Sequence, residues 1–211
     1  MKRFLNPVYL YTLARDRKIR TSLASVGANF EYDPLSTILH PELINIGHDV
    51  FIGERAHISA ELTIGDNVMF GPRPIIIGGH HYCGVKGRSV RKLHPQGREN
   101  SQPIRVESEA WLGSAITLLA GVTIGMGAVV GAGSVVSKSV APFVVAVGNP
   151  CRPIRRIFSD ETLGEHLLYL GLAEEDARRV VDRPRSELES VGCRVDALPI
   201  VDPTDDYWEP V

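Results

Sequence analysis

From Ile46 onward the chain repeats a hydrophobic position every six residues. The anchors are Ile46, Ile52, Ile58, Ile64, Phe70 and Ile76, and a second run carries Val106, Leu112, Leu118, Ile124, Val130 and Val136. Four positions after every anchor but Ile76 comes a second apolar or small residue: Val50, Ala56, Leu62, Val68 and Pro74, then Ala110, Ile116, Val122, Ala128, Ser134 and Val140. The residue that follows the anchor is small in most hexads, as at Gly47, Gly53, Ser59, Gly65, Gly71, Gly113, Gly125, Gly131 and Ser137. A period of six matches neither a helix, at about 3.6, nor a half-buried strand, at about 2. It matches a triangular coil with one hexad per side, in which each anchor points inward and stacks on its equivalents above and below. Adjacent coils would pair through their backbones about 4.8 Å apart, so that each protects the edge of its neighbour. The Gly or Ser after each anchor is expected at the corner, where backbone dihedrals are unusual and a side chain would crowd. The short strands of a β-sandwich would need turn signals every ~8–12 residues and alternating polarity. The two runs of hexads show neither, so the predicted fold is β-dominated: a single-stranded parallel β-helix.

Three segments follow from this pattern. Residues 1–24 read as a short amphipathic N-terminal helical segment. Residues 25–157 form the β-helix, with irregular first coils over 25–45 around Pro34 and Pro41 and a polar loop insertion at 82–103. Residues 158–211 form a helical extension. Ser159 is placed to cap a helix with Leu163, Leu167 and Leu170 on one face. A second helix around Ala173 to Asp182 is expected to stop near Pro184, before an acidic, extended tail.

Composition narrows the class. A hydrophobic content of 44% supports a buried core, and a formal net charge of −2 gives no reason to expect nucleic-acid or membrane-surface binding. Three cysteines, Cys83, Cys151 and Cys193, fit a reducing compartment without a disulfide framework. The N-terminus lacks a signal-peptide pattern, and no segment reaches the roughly 18 apolar residues that span a bilayer. A cytoplasmic protein is expected.

The segment WLGSAITLLAGVTIGMGAVVGAGSVVSKSVAPFVVAVGNPCRPIRRI, from Trp111 to Ile157, resembles the signature region of the hexapeptide acetyltransferases. The nearest branch is that of the galactoside, maltose and polysaccharide-sugar O-acetyltransferases. The resemblance covers roughly residues 44–157. It rests on four motifs in order: W-[IV]-G-[SA], met here as W-L-G-S with Leu112 in the second place, then G-V-x-I-G, G-A-G-S-V-V-[ST]-K and G-x-P-[AC]-R-x-I-R. It implies a left-handed coil, an acetyl-CoA co-substrate without a metal, and a homotrimer with each active site between subunits. It also implies a histidine as general base, placed where the repeat gives way to the loop. His81 matches that position better than His80, which would occupy the place where related sequences often carry Asn. Trp111 resembles the tryptophan beside the active site, and Ser114 and Ala132 the residues whose backbones meet the pantetheine arm. Ser137, Lys138, Arg152 and Arg155 resemble the residues at the CoA phosphates.

The expected reaction is therefore acetyl transfer from acetyl-CoA to a hydroxyl of a sugar or sugar-containing acceptor. An amine on a nucleotide-linked aminosugar, or a xenobiotic, is the alternative acceptor. The maltose- and galactoside-type sugar-binding Asn segment is absent, because this chain reads VFIGERAHI with Phe51 there. The insertion carries Lys86, Arg88, Arg91, Lys92 and Arg98 against Glu99. Arg88, Arg91 and Lys92, with His80, are candidate acceptor contacts, suited to a nucleotide-sugar or an acidic sugar. A γ-type carbonic anhydrase would place two zinc histidines five apart, a spacing that none of the seven histidines shows. The large helical N-terminal domain of a serine acetyltransferase is absent. A non-catalytic scaffold is the remaining class.

Overall fold

The computed structural model describes residues 7–79, 83, 85–93 and 101–189. Their strands stack as three parallel sheets, the faces of a β-helix of about six turns. The first face stacks Ser25–Val26, Ile44–Ile46, Leu62–Ile64, Ile104–Val106 and Thr123–Ile124. The second stacks Glu31–Tyr32, Phe51–Ile52, Met69–Phe70, Trp111–Leu112, Val129–Val130 and Val144–Val147. Arg152–Arg156 closes that face as an antiparallel strand on Val144–Val147. The third stacks Thr37–Ile38, His57–Ser59, Ile75–Ile77, Thr117–Leu118 and Val135–Val136.

The hexad anchors point inward, as their spacing predicts. None of the twelve is more than 5% exposed, and each such burial contributes about 1.5–3 kcal/mol relative to exposure. The secondary positions also line the core, including Ser134, whose hydroxyl donates to Gly131 O at 2.6 Å and accepts from Gly148 N at 3.0 Å.

The corner glycines act by a different cause from the expected one. Gly47, Gly53, Gly65, Gly71, Gly113, Gly125 and Gly131 are not left-handed. They are needed because the next coil passes too close: a Cβ on Gly113 would lie 2.6 Å from Ala132 N, and one on Gly53 2.6 Å from Gly71 C. The left-handed conformation falls two residues later. Asp49, Arg55, Asn67, Arg73, Glu109 and Ala115 take φ between 55 and 64° there.

The first coil is more regular than its prolines suggest. Val26, Tyr32 and Ile38 keep the six-residue spacing, and the step to the second coil is 20 residues, as in Tyr32↔Ile52, against 18 in Ile44↔Leu62. The two extra residues fall at the corner holding the short 3₁₀ turn Pro41–Leu43. Between Leu62 and its partner Ile104 the step is 42 residues, so 24 more than the regular 18 are accommodated. This insertion is pinched by an antiparallel bridge, Gly79↔Ser101, and by Gln102 N donating to Gly78 O at 2.8 Å. The neck thus begins slightly before the 82–103 span expected from the sequence.

Helix α1, Pro7–Ser22, is fixed to the first coil by arginines as well as by an apolar residue. Arg15 donates to Ser36 O at 2.8 Å and Arg20 to Phe30 O at 3.0 Å, while Ile19 is buried. Helix α2, Asp160–Tyr169, is capped as predicted, with the Ser159 hydroxyl accepting from Thr162 N at 3.2 Å. Leu163 and Leu167 are buried against Phe143 and Ala177, but Leu170 ends the helix exposed. Helix α3, Glu174–Glu189, runs through Pro184 instead of stopping before it. A proline removes a single i→i−4 hydrogen bond, and the Arg, Leu and Glu residues around it are good helix formers. The acidic tail lies outside the described residues.

Candidate active site

The β-helix has three edges, and Ser114, Ala132, Ser137 and Lys138 divide between two of them. The edge between the second and third faces carries Ser114 and Ala132, which follow Trp111–Leu112 and Val129–Val130 in successive coils. Both are small, and beside them Gly133 has nothing within 4 Å of where its Cβ would stand. This strip of edge is open to a thin chain lying along it. At its C-terminal end the chain turns through Gly148–Cys151, with Val135 N donating to Gly148 O at 3.0 Å and Cys151 N to Val135 O at 2.8 Å. Arg152, exposed, follows that turn and pairs in register with Val147, while Arg155 lies opposite Val145 on the second face. Arg152 thus stands beside the edge that carries Ser114 and Ala132, whereas Arg155 lies on the second face.

Ser137 and Lys138 lie elsewhere. They follow Val135–Val136 and stand, exposed, on the edge between the third and first faces. The neck of the insertion emerges from that same edge two coils earlier, about 10 Å away at the spacing of stacked coils. His80 and His81 lie outside the described residues; in sequence they directly follow Gly79 of the neck. Lys86, Arg88, Arg91 and Lys92 are exposed in the insertion, and none forms an ion pair among the described residues.

Trp111 sits on the flat second face, 52% exposed, not at a corner. It continues an outward ladder in which Phe51, Met69, Trp111 and Val129 are register partners. Phe51 and Met69 are 44% and 47% exposed, a large unpartnered apolar surface for one sheet face. Cys151 is buried beneath the turn; desolvation holds its thiol above the usual range, against smaller opposing effects of the Ser134 hydroxyl and Arg152. Among the described residues no group of histidines, cysteines and carboxylates could hold a metal, and no helix is long and apolar enough to cross a membrane.

A polar cleft lies on the first face, on the side away from the inward anchors. It is lined by Thr63, Gln102, Arg105, Gly121 and Thr123, with a volume of about 340 Å³. A signal for it does exist in the sequence. The residue before each first-face anchor is Asn45, Thr63, Arg105 and Thr123 in turn, whereas the second face carries Phe51, Met69, Trp111 and Val129 at that position.

Comparison with known proteins places this architecture. Residues 103–138 match the family described as the hexapeptide repeat of succinyl-transferase. The chain is 36% identical over 146 residues to galactoside O-acetyltransferase of Escherichia coli K12, a match covering 68% of each protein. Its fold is similar to that of a maltose O-acetyltransferase from Clostridium difficile 630, with a TM-score of 0.60 and 30% identity over 74% of this chain and 80% of that one. It is also similar to a hexapeptide-repeat acetyltransferase of Vibrio cholerae in complex with acetyl-CoA, with a TM-score of 0.55 and 25% identity over 74% and 80% of the two chains.

Proposed function

This chain belongs to the hexapeptide-repeat acetyltransferases, and from that premise we infer that it moves the acetyl group of acetyl-CoA to a hydroxyl of a sugar or sugar-containing acceptor in a site shared between subunits of a homotrimer. The observation that carries the reading is the division of the candidate residues between two edges. Ser114, Ala132 and Arg152 form an open strip on one, and the insertion neck with Lys138 occupies the other. The third face separates the two groups within one chain. A neighbouring copy can bring the two kinds of edge together, and closed threefold symmetry does so three times. The apolar ladder of Phe51, Met69 and Trp111 supports the same assembly, as surface of the kind that subunit contacts bury.

The chemistry asks little of the protein. When bound, acetyl-CoA supplies an already activated thioester, so no covalent enzyme intermediate is needed. The small residues Ser114 and Ala132 admit the pantetheine arm close to the backbone. Lys138, Arg152 and Arg155 are cations suited to phosphate. His81 takes the acceptor hydroxyl proton, a role open to imidazole because its ordinary form is mostly neutral at pH 7. Backbone N–H groups facing the thioester carbonyl would stabilise the developing oxyanion.

The test is a transfer assay with acetyl-CoA against neutral sugars, acidic sugars and nucleotide-linked aminosugars in parallel. We expect O-acetylated product, and a loss of roughly 10²–10⁴-fold in kcat for His81→Ala, with the KM for acetyl-CoA little changed. Activity retained in His81→Ala but lost in His80→Ala would move the base by one residue. Product formed only on amines would replace the hydroxyl acceptor by an aminosugar.

A further inference from the structure

We propose that the acceptor is anionic, and that Arg105 with Thr63 and Thr123 receives its carboxylate or phosphate group in the first-face cleft at the neck of the insertion. The proposal rests on the acetyltransferase reading and adds the charge of the substrate to it.

Thr63, Arg105 and Thr123 are register partners in three successive coils, Arg105 pairing with Thr63 on one side and Thr123 on the other. Their side chains project outward from one parallel ladder with a coil spacing of about 4.8 Å. That spacing roots the Arg105 side chain between two threonines, so that one guanidinium and two hydroxyls line the same cleft as donors suited to an oxyanion. The Arg105 side chain is exposed and makes no ion pair among the described residues. Its charge is therefore not committed to the fold.

The cleft is walled by the neck itself. Gln102 lines it, donates its backbone N–H to Gly78 O at 2.8 Å and accepts from Gly121 N at 3.3 Å. Gly121 takes a φ of 78°, a left-handed conformation that favours glycine, and the Gln102 side chain lies against the side a Cβ would occupy. The packing of Gln102 against Gly121 thus fixes the cleft to the segment that leads to His80 and His81 in sequence. A separate observation agrees in sign. The described residues 83 and 85–93 contain Lys86, Arg88, Arg91 and Lys92 and no carboxylate. Lys138 stands on the same edge two coils away. Positive charge arranged along one edge raises the local concentration of an anionic ligand and speeds its arrival, an effect that salt weakens.

The experiment compares three matched acceptors, galactose, galacturonate and galactose 6-phosphate, in wild type, Arg105→Ala and Arg105→Lys. Acetylation is measured with acetyl-CoA, and binding of each sugar is measured separately by calorimetry without acetyl-CoA. In wild type, kcat/KM for at least one charged sugar should exceed that for galactose by about 10-fold or more, the usual value of a charge-assisted bidentate contact. Arg105→Ala should bring that ratio close to one, and Arg105→Lys, which keeps charge but not the planar fork, should leave an intermediate ratio. A phosphate-only preference names a phosphosugar, and a carboxylate preference an acidic sugar. Equal kcat/KM for neutral and charged sugars in wild type overturns the proposal. So does a rise in the acetyl-CoA KM of Arg105→Ala with the sugar ratio unchanged, which would assign Arg105 to the cofactor. Calorimetry separates the two layers. Binding of a charged sugar that Arg105→Ala abolishes, with no acetyl transfer to any sugar, keeps the anion site and removes the transferase reading. Acetylation of galactose without binding or turnover of either charged sugar does the reverse.

Discussion

Gly113 and Ala115 lie two residues apart on the edge that carries Ser114, and they impose opposite demands on the backbone. Gly113 has an ordinary φ but no room, because Ala132 N would stand 2.6 Å from its Cβ. Ala115 has room but sits at φ 56°, where an L-residue pays roughly 1–2 kcal/mol relative to glycine. Gly113→Ala should therefore destabilise by about 1–3 kcal/mol, as overpacking against fixed backbone does. Ala115→Gly should stabilise by about 0.5–1 kcal/mol, once the greater freedom of glycine in the unfolded chain is subtracted. At about 2–4 °C per kcal/mol for a domain of this size, thermal unfolding at fixed protein concentration resolves both. A fall in Tm for Ala115→Gly would show that the left-handed corner is not strained. The cysteines offer a second contrast at this scale. Cys83 is exposed, whereas Cys151 is buried with its thiol held upward by desolvation. Iodoacetamide at neutral pH should label Cys83 at least about 10-fold faster than Cys151, as quantified by peptide mass spectrometry. Equal rates would mean that the turn over Cys151 opens readily.

Helix α1 closes the N-terminal end of the β-helix, and its contact has a titratable group at the centre. Tyr32 stacks on Phe30 at a centroid distance of 5.0 Å, with the Arg20 guanidinium 5.3 Å from the Tyr32 ring. Burial and then the Asp16 carboxylate beside it push the Tyr32 phenol well above the ordinary tyrosine value of 10.0. A raised folded-state pKa favours the protonated form in the folded chain. This contribution to stability is complete below the unfolded value near 10 and is lost as the pH climbs above it. Urea unfolding measured across that alkaline range should lose stability steeply in wild type and less steeply in Tyr32→Phe; identical slopes would place the phenol outside the packed contact. How far such elements could be read beforehand depended on what fixed them. The hexad anchors were legible because a parallel coil leaves an inward side chain one identity, apolar, at one period. The cause of the corner glycines was not, since a clash with the coil above is a contact across 18 residues that no local pattern carries. Pro184 misled for a related reason: a local rule predicted a stop, and one missing hydrogen bond did not outweigh its neighbours. The first-face cleft was legible in principle, but only by comparing outward positions one whole coil apart.

At the scale of the whole molecule, the distribution of residues over edges decides which mutant subunits can rescue one another. Lys138 and the insertion neck that leads to His81 stand on one edge of a single chain, and Ser114 and Ala132 on the next. If a site forms where the first kind of edge of one subunit meets the second kind of its neighbour, each site draws on two chains. His81→Ala subunits lack the first contribution. Ala132→Trp subunits, in which a large side chain fills the open strip, lack the second. Each homotrimer should be inactive. Unfolding the two together and refolding them as a random mixture should restore about one quarter of wild-type activity, because a site then needs an intact first edge and an intact second edge, each present in half the chains. The control pair is His81→Ala with Lys138→Glu. Both changes fall on the same edge, so every site inherits one lesion or the other and mixing should restore nothing. Sedimentation of each variant as a trimer excludes misfolding as the cause. A monomeric, active wild type, or the absence of rescue in both mixtures, would return the whole site to a single chain. Rescue by the control pair would instead separate Lys138 from the insertion edge in function.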